Sequence, residues 1–180
     1  MLRPVVIILF LFFLSGCVKV EFYRNYSLKV DSLSHVVEEM AGTYGSLDSS
    51  GIVNAYDSLE RYLDSLSRFP DTTLDSLANS YRYLEKGYKT FWRDHPLILS
   101  ELQYTRDQLH DLKYDIEHYQ LDKGLIKGYY AEEAGSVKKL KDRIDLNMMD
   151  IQIQLQQYRE ITPQIIYLLD SLNMNKKNEE

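Results

Sequence analysis

The chain has 180 residues and a formal net charge of −6 at pH 7. Proteins that bind nucleic acids carry a basic field that counters phosphate, so an acidic chain of this kind does not belong to that class. The length is sufficient for one domain with its own hydrophobic core.

The amino-terminal segment has the order of a signal peptide. Arg3 supplies a positive charge, residues 5–14 form an uninterrupted apolar run, and the small residues Ser15 and Gly16 lead into Cys17, the only cysteine of the chain. A charge, an apolar run and small residues in this order are typical of secretion. The run is too short for a membrane-spanning helix, which needs about 20 apolar residues.

Leu14-Ser15-Gly16-Cys17 resembles the lipobox of bacterial lipoproteins. The resemblance covers only the first 17 residues. It implies cleavage before Cys17, a diacylglyceryl group on the Cys17 thiol and usually an acylated amino terminus, and two or more acyl chains anchor a protein stably. Val18 stands where an aspartate favours inner-membrane retention in that family, so the resemblance implies the outer membrane, facing the periplasm. The alternative is an ordinary secretory signal with a cysteine there by chance.

The domain organisation follows from this interpretation. Residues 1–16 are the signal peptide, residues 17–27 the lipidated cysteine and a tether, residues 28–174 a helical bundle, and residues 175–180 a polar tail. An extended tether of this length spans roughly 30 Å. Beyond it the hydrophobic residues recur three and four positions apart, which predicts amphipathic helices and no strands.

Two shorter helices are predicted first, over residues 30–40 and 52–66, with a polar loop at residues 41–51. Three long seams follow, whose steps of three and four are typical of coiled-coil packing. The steps alternate, except for one extra step of four at Met148 in the third seam. The first seam is Leu74, Leu77, Tyr81, Leu84, Tyr88 and Phe91; the second is Ile98, Leu102, Thr105, Leu109, Leu112, Ile116 and Tyr119; the third is Val137, Leu140, Ile144, Met148, Ile151, Leu155 and Tyr158.

Punctuating residues predict where these helices begin and end. Asp71 is placed to cap a helix that begins near Thr72. Pro96 after His95 predicts a corner and the start of another, antiparallel helix, because proline fits the first helical turn. Residues 123–128 predict a turn, and Pro163 predicts either a kink or a break. The fold class is therefore all-α: an elongated antiparallel bundle of five or six helices with coiled-coil character.

Motifs of catalysis are absent from the sequence: it has no P-loop, dinucleotide-binding GxGxxG, nucleophile elbow, HExxH or CxxC. We therefore expect neither an enzyme nor a cofactor. The best metal candidates are two Asp-x-x-His steps on one predicted helix. Their residues are Asp107, His110, Asp115 and His118. Since the second seam defines the inward face, these pairs are expected to point mostly outward and to be hydrated rather than metal-bound.

Tyrosine is unusually frequent, with fifteen in the chain. The candidates for partner-facing residues are four that lie off the seams: Tyr62, Tyr83, Tyr104 and Tyr114. They could form a second packed layer of the bundle or a partner-facing surface, since exposed aromatic residues are enriched in interfaces. Spacing alone leaves both interpretations open.

These features together predict a lipid-anchored envelope protein that acts as a non-enzymatic helical scaffold or interaction module. It would bind the membrane through Cys17 and either a protein partner or a second copy of itself through its seams. The first alternative is a bundle that binds a small ligand or a metal, conceivably with enzymatic activity. A further alternative is a periplasmic holdase for unfolded proteins.

Overall fold

The computed structural model describes the backbone of residues 3–68 and 72–179 and the side chains of residues 20–68 and 77–172. Within that part the chain forms four helices and no strand: α1 (Arg3–Gly45), α2 (Ser49–Ser67), α3 (Thr72–Glu117) and α4 (Lys123–Glu179). The all-α prediction is confirmed. The predicted count of five or six helices is wrong, because α3 continues through Pro96, where a corner was predicted, and α4 continues through Pro163, where a break was left open. Asp71, expected to cap α3, lies outside the described residues.

Pro96 lies inside α3, so the predicted corner at this position is wrong. Phe91 and Ile98 are both buried, and their spacing of seven keeps one apolar face in register across the proline. Pro96 itself is exposed, so the backbone carbonyl that lacks a donor can be hydrated. Burial of an amphipathic face supplies most helical stability in proteins, and here it outweighs the cost of an interior proline, about 3 kcal/mol.

α4 also continues through Pro163, which is likewise exposed. Thr162 and Ile165 lie on either side of the proline and both contact the core: Thr162 through a hydrogen bond to Tyr81, and Ile165 as a fully buried side chain. The break that the sequence left open therefore does not occur.

The turn predicted at residues 123–128 is wrong, because these residues form the first turns of α4. The connection between α3 and α4 lies immediately before these residues, at residues 118–122. Tyr119 has a left-handed φ of 56° that ends α3 and leaves its ring exposed rather than on the seam. Asp122 accepts hydrogen bonds from the backbone amides of Gly124 and Leu125 at 2.7 and 2.9 Å. This capping carboxylate starts the helix in spite of the glycines.

The connection before α2 is shorter than the loop expected at residues 41–51, because α1 extends to Gly45. Asp48 caps α2, accepting hydrogen bonds from the backbone amide of Gly51 at 2.9 Å and from the Ser50 hydroxyl at 2.7 Å. These bonds, the backbone one first, hold the pKa of the Asp48 carboxyl below its usual value.

The chain divides into two compact units. Unit 1 comprises Met1–Thr43 and Leu99–Asp142. The residue pairs between α1 and α3 show that these helices run antiparallel in it. As the residue number rises along α1, the number of the partner residue falls along α3. These pairs are Ser27 with Glu117, Asp31 with Lys113, and Glu38 with Arg106. Its apolar interior is built from predicted helix faces together with Ile126, which lies in the predicted turn: Val30, Val37, Met40, Leu102, Leu109, Leu112, Ile116, Ile126, Val137 and Leu140.

Residues 20–27, expected to belong to an extended tether, are helical and packed into unit 1. Tyr23 and Ser27 are buried. The Tyr23 hydroxyl donates to the carbonyl of Leu121 at 2.9 Å, and the Ser27 hydroxyl donates to Glu117 Oε1 at 2.8 Å. Tyr23 and Ser27 precede buried Val30 at steps of four and three, so they extend the first predicted helix backward.

Unit 2 comprises Tyr44–Ile98 and Arg143–Glu180. α3 and α4 run antiparallel in it, with Gly87 against Gln154 and Tyr81 against Thr162. Its core contains described residues of the first seam and of the later part of the third, together with α2: Ile52, Ala55, Leu59, Leu66, Ala78, Tyr81, Leu84, Tyr88, Phe91, Ile151 and Ile165. The side chain of Leu74, on the first seam, lies outside the described residues. The predicted inward faces of these helices are confirmed.

Candidate functional site

Cys17 lies in α1, but its side chain is outside the described residues. Its lipidation therefore stays a prediction. Among the residues that the structure describes, no helix is both long and apolar enough to cross a membrane.

Three of the four metal candidates lie on α3, and His118 directly follows its last residue. Asp107, His110 and His118 are exposed, as expected, and Asp115 is half-buried. Gln103 donates a hydrogen bond to Asp107 at 2.9 Å, and the His118 ring stacks on Tyr114 with the ring centres 3.9 Å apart. Over the described part of the chain, no three His, Cys, Asp or Glu residues form a group that could hold a metal ion.

The four candidate tyrosines divide into two kinds. Tyr62 is half-buried against the core of unit 2, with its ring centre 6.2 Å from that of Tyr81, so it belongs to a second packed layer. Tyr83 is 66% exposed, Tyr104 64% and Tyr114 49%. These three remain open to a partner.

An exposed apolar stripe on α4 in unit 2 was missed in the sequence. Leu146 is 57% exposed, Met149 50% and Ile153 44%. Their spacing of three and four places them within about 60° of one another around the helix. These three residues are termed the outer stripe. The missed signal is a second repeat of threes and fours beside the buried one at Ile144 and Ile151.

Polar residues border the outer stripe. Asp150, Gln152 and Gln156 are exposed on the same stretch of α4. An apolar centre with a polar rim is the usual composition of a protein interface. Half-exposed Leu, Met and Ile side chains can still be removed from water, and full burial of each contributes roughly 1.5–3 kcal/mol. The arrangement can therefore bind another amphipathic helix.

His95 lies in an aromatic cluster of unit 2. Its ring centre is 5.0 Å from that of Tyr44, 5.2 Å from Phe91 and 6.0 Å from Trp92. Burial lowers the pKa of the imidazole, and within the described part of the chain its buried Nδ1 has no hydrogen-bond partner. The interpretation of His95 as the residue before a helix start is wrong, since Pro96 starts no helix. The half-buried ring packs against these aromatic side chains instead.

No family model matches this chain, and neither a curated protein nor a solved structure matches it. The functional argument therefore depends on the residues themselves. They define an all-α helical protein whose exposed apolar stripe and exposed tyrosines lie on helix surfaces.

Proposed function

We propose that this chain is a lipid-anchored protein of the bacterial cell envelope that serves as a non-enzymatic helical interaction module. The outer stripe of α4 is the observation that carries the interaction. The lipobox-like order ending at Cys17 supports the anchor, and Val18 after it favours the outer membrane, facing the periplasm. The proposal includes an elongated antiparallel bundle with coiled-coil packing, which the three-and-four spacing of the buried seams supports.

A helix of a protein partner, or of a second copy, packs along the outer stripe. α4 then carries two apolar faces: Ile144 and Ile151 bind its own chain, whereas Leu146, Met149 and Ile153 bind the partner. Helix-in-groove recognition uses anchors at this spacing. The exposed Tyr83, Tyr104 and Tyr114 supply further contacts, since a tyrosine buries a large ring at little cost in conformational entropy.

Site-specific photocrosslinking in cells tests the interaction. Crosslinkers placed at Met149 and Ile153 are expected to capture a discrete product, and one at exposed Gln152 is expected to capture less. The matched variants are Ile153→Asp and Gln152→Asp, which add the same charge to neighbouring positions. Only Ile153→Asp should abolish the product formed from Met149. Equal loss in both variants, or no product from either stripe position, would contradict the proposal.

Metabolic labelling tests the anchor separately. Labelled palmitate should enter the wild-type chain and not the Cys17→Ala variant, because the thiol is the acceptor. Equal incorporation into both chains would exclude the lipoprotein interpretation.

Stoichiometric metal in the purified protein, lost on His110→Ala and His118→Ala, would favour the metal-binding alternative. Suppression of a test protein's aggregation would favour the holdase.

A further inference from the structure

Three aromatic rings and three lysines pack against one another in unit 1. The rings of Phe22 and Tyr26 lie 4.8 Å apart on α1, and Tyr130 of α4 meets Tyr26 edge to face at 5.5 Å. The lysines complete the group, which is termed the lysine–aromatic patch. Its members are Phe22, Tyr26, Lys29, Lys123, Lys127 and Tyr130.

Each lysine of the patch lies over a ring. The Nζ atom of Lys29 is 4.5 Å from the centre of the Tyr26 ring, and those of Lys123 and Lys127 are 5.1 and 6.0 Å from the centre of the Phe22 ring. Ring faces attract cations without neutralising them. Among the described residues, no carboxylate lies within ion-pair distance of these three ammonium groups.

The patch is a positive surface on an acidic protein. All three lysines are exposed, and the three rings are half-buried. The ammonium groups therefore face solvent, and the aromatic rings lie beneath them. The chain as a whole carries a formal charge of −6. A local concentration of unneutralised cations against that background fits an anionic partner.

The patch lies close to the proposed lipid anchor. Phe22 follows Cys17 by five residues in the continuous helix α1, which is a rise of about 7.5 Å. The polar headgroup region of a bilayer is roughly 5–7 Å thick on each side. An anchored chain therefore holds Phe22 next to the headgroups, and a tilt of α1 brings the three lysines to the same surface.

We propose that the lysine–aromatic patch is a docking surface for anionic phospholipid headgroups, against which the anchored domain lies. The proposal rests on the lipid anchor at Cys17, which confines the patch to the membrane surface at high effective concentration. Lysine ammonium groups pair with lipid phosphates, and aromatic side chains favour the interface between headgroups and hydrocarbon. The lysines and the aromatic rings of the patch therefore contact the phospholipid surface at the same time.

Fluorescence quenching by brominated lipid in vesicles measures the docking. The full chain, purified with its anchor, carries Phe22→Trp in a Trp92→Phe background, so that the only tryptophan lies in the patch. Vesicles contain brominated phosphatidylcholine with or without phosphatidylglycerol. Quenching is expected with phosphatidylglycerol and is expected to be weak without it or at high salt, which screens surface charges. If Trp92→Phe lowers helicity, the same comparison is made with Trp92 retained, by subtraction.

The charge requirement has a matched control. Lys29→Gln, Lys123→Gln and Lys127→Gln together should reduce the ratio of docked to undocked chains on the order of 100-fold, because each lysine near an anionic surface contributes about fivefold. Lys86→Gln, Lys138→Gln and Lys139→Gln remove as many exposed charges elsewhere and should leave the ratio unchanged. Circular dichroism of both triple variants shows whether the helices persist.

Flotation of the same vesicles separates this inference from the anchor. A chain that floats with both vesicle types but shows no quenching, or equal quenching in both, overturns the docking surface and leaves the anchor in place. Equal loss of quenching in the two triple variants also overturns it. A chain that floats with neither vesicle type overturns the anchor and the docking surface together. Flotation that requires phosphatidylglycerol and the three patch lysines supports the docking surface and contradicts the anchor.

Discussion

At the scale of single residues, the buried tyrosines differ in whether their hydroxyl groups find a partner. The Tyr44 hydroxyl donates to Asn147 Oδ1 at 2.9 Å, and the Tyr81 hydroxyl shares a hydrogen bond with Thr162 Oγ1 at 2.7 Å. Tyr88 is also fully buried, but its hydroxyl has no partner among the described residues. The seam spacing predicts burial for both Tyr81 and Tyr88, but it does not predict which of the two hydroxyl groups has a hydrogen-bond partner.

Phenylalanine substitutions should therefore have opposite effects at two of these positions. Tyr44→Phe is expected to lower the free energy of unfolding by about 1 kcal/mol, because it leaves the Asn147 oxygen unpaired. Tyr88→Phe removes an unpaired buried hydroxyl. It is therefore expected to leave the free energy of unfolding unchanged or to raise this free energy by up to about 1 kcal/mol. Urea unfolding followed by circular dichroism measures both. A Tyr88→Phe loss as large as that of Tyr44→Phe would show that the Tyr88 hydroxyl is hydrogen-bonded.

The Gln154 side chain occupies the space beside Gly87. A Cβ atom at this position would lie 2.6 Å from Gln154 Oε1, a distance that real Cβ contacts essentially never show. The crowded atoms are the end of a flexible side chain, so Gln154 must move aside when the Cβ is added. Gly87→Ala is therefore expected to raise the free energy of unfolding by less than the gain from helix propensity, which is about 1 kcal/mol. In a Gln154→Ala background the same substitution should raise it by the full amount.

Gly135→Ala is the matched control for this cycle, because no atom lies within 4 Å of the added Cβ. It should raise the free energy of unfolding by about 1 kcal/mol through helix propensity alone. Urea unfolding of the four chains of the double-mutant cycle gives the coupling between Gly87 and Gln154. A coupling near zero would contradict the contact.

At the scale of the element, α3 and α4 each contain a proline that propensity alone treats as a break. Pro96 and Pro163 are exposed, and buried residues continue in phase on both sides of each. The apolar period is therefore a better guide to helix length here than the proline rule. A proline on the outer face loses one backbone hydrogen bond, whereas ending the helix would expose a turn of buried side chains.

Pro96→Ala should consequently raise the free energy of unfolding by about 1–3 kcal/mol, since it restores a backbone donor and removes the clash of the ring with the preceding turn. Ser100→Ala, on an exposed position of α3 one turn later, should change it by a few tenths of a kcal/mol. Thermal and urea unfolding measure both variants. A loss of stability in Pro96→Ala would indicate that a bend at Pro96 is needed to seat Phe91 and Ile98.

At the scale of the whole molecule, the buried phenols give the protein a sensitivity to alkali. Burial raises the pKa of Tyr44 and Tyr81 to about 12, and burial followed by a hydrogen bond to Glu60 raises that of Tyr56 to about 12. Burial also raises the pKa of Tyr88. An unfolded tyrosine ionises near pH 10. The folded state therefore favours the neutral phenol, and this stabilisation is complete below pH 10 and lost as the pH rises toward 12.

Cooperative loss of helix is accordingly expected between pH 10 and 12. Circular dichroism measures the helix content, and tyrosinate absorbance measures the ionisation of the phenols. Replacing Tyr44 and Tyr81 together by phenylalanine should make the stability depend less steeply on pH in this range. Replacing the exposed Tyr83 and Tyr104 instead should leave the dependence unchanged. Tyrosinate absorbance that rises fully before any helix is lost would contradict burial of these phenols.

The sequence by itself determined that the chain is helical and which faces of the helices turn inward, because burying one face of a helix imposes a period that can be read directly from the chain. It did not determine where the helices begin and end. Tyr81, Leu84, Tyr88 and Phe91 are buried as their spacing predicts. The all-α class follows from the same period. The resemblance that ends at Cys17 is also a property of sequence alone, and it stays a prediction.

Only the tertiary structure showed that α4 carries a second apolar stripe that its own chain leaves uncovered, because Leu146, Met149 and Ile153 repeat at the same spacings as the buried seam. Contacts between distant parts of the chain were likewise invisible: Tyr26 meets Tyr130, more than one hundred positions away. The partners of the buried hydroxyl groups belong to the same category. A one-dimensional pattern records the face on which a side chain lies, whereas packing of the helices decides what lies opposite that face.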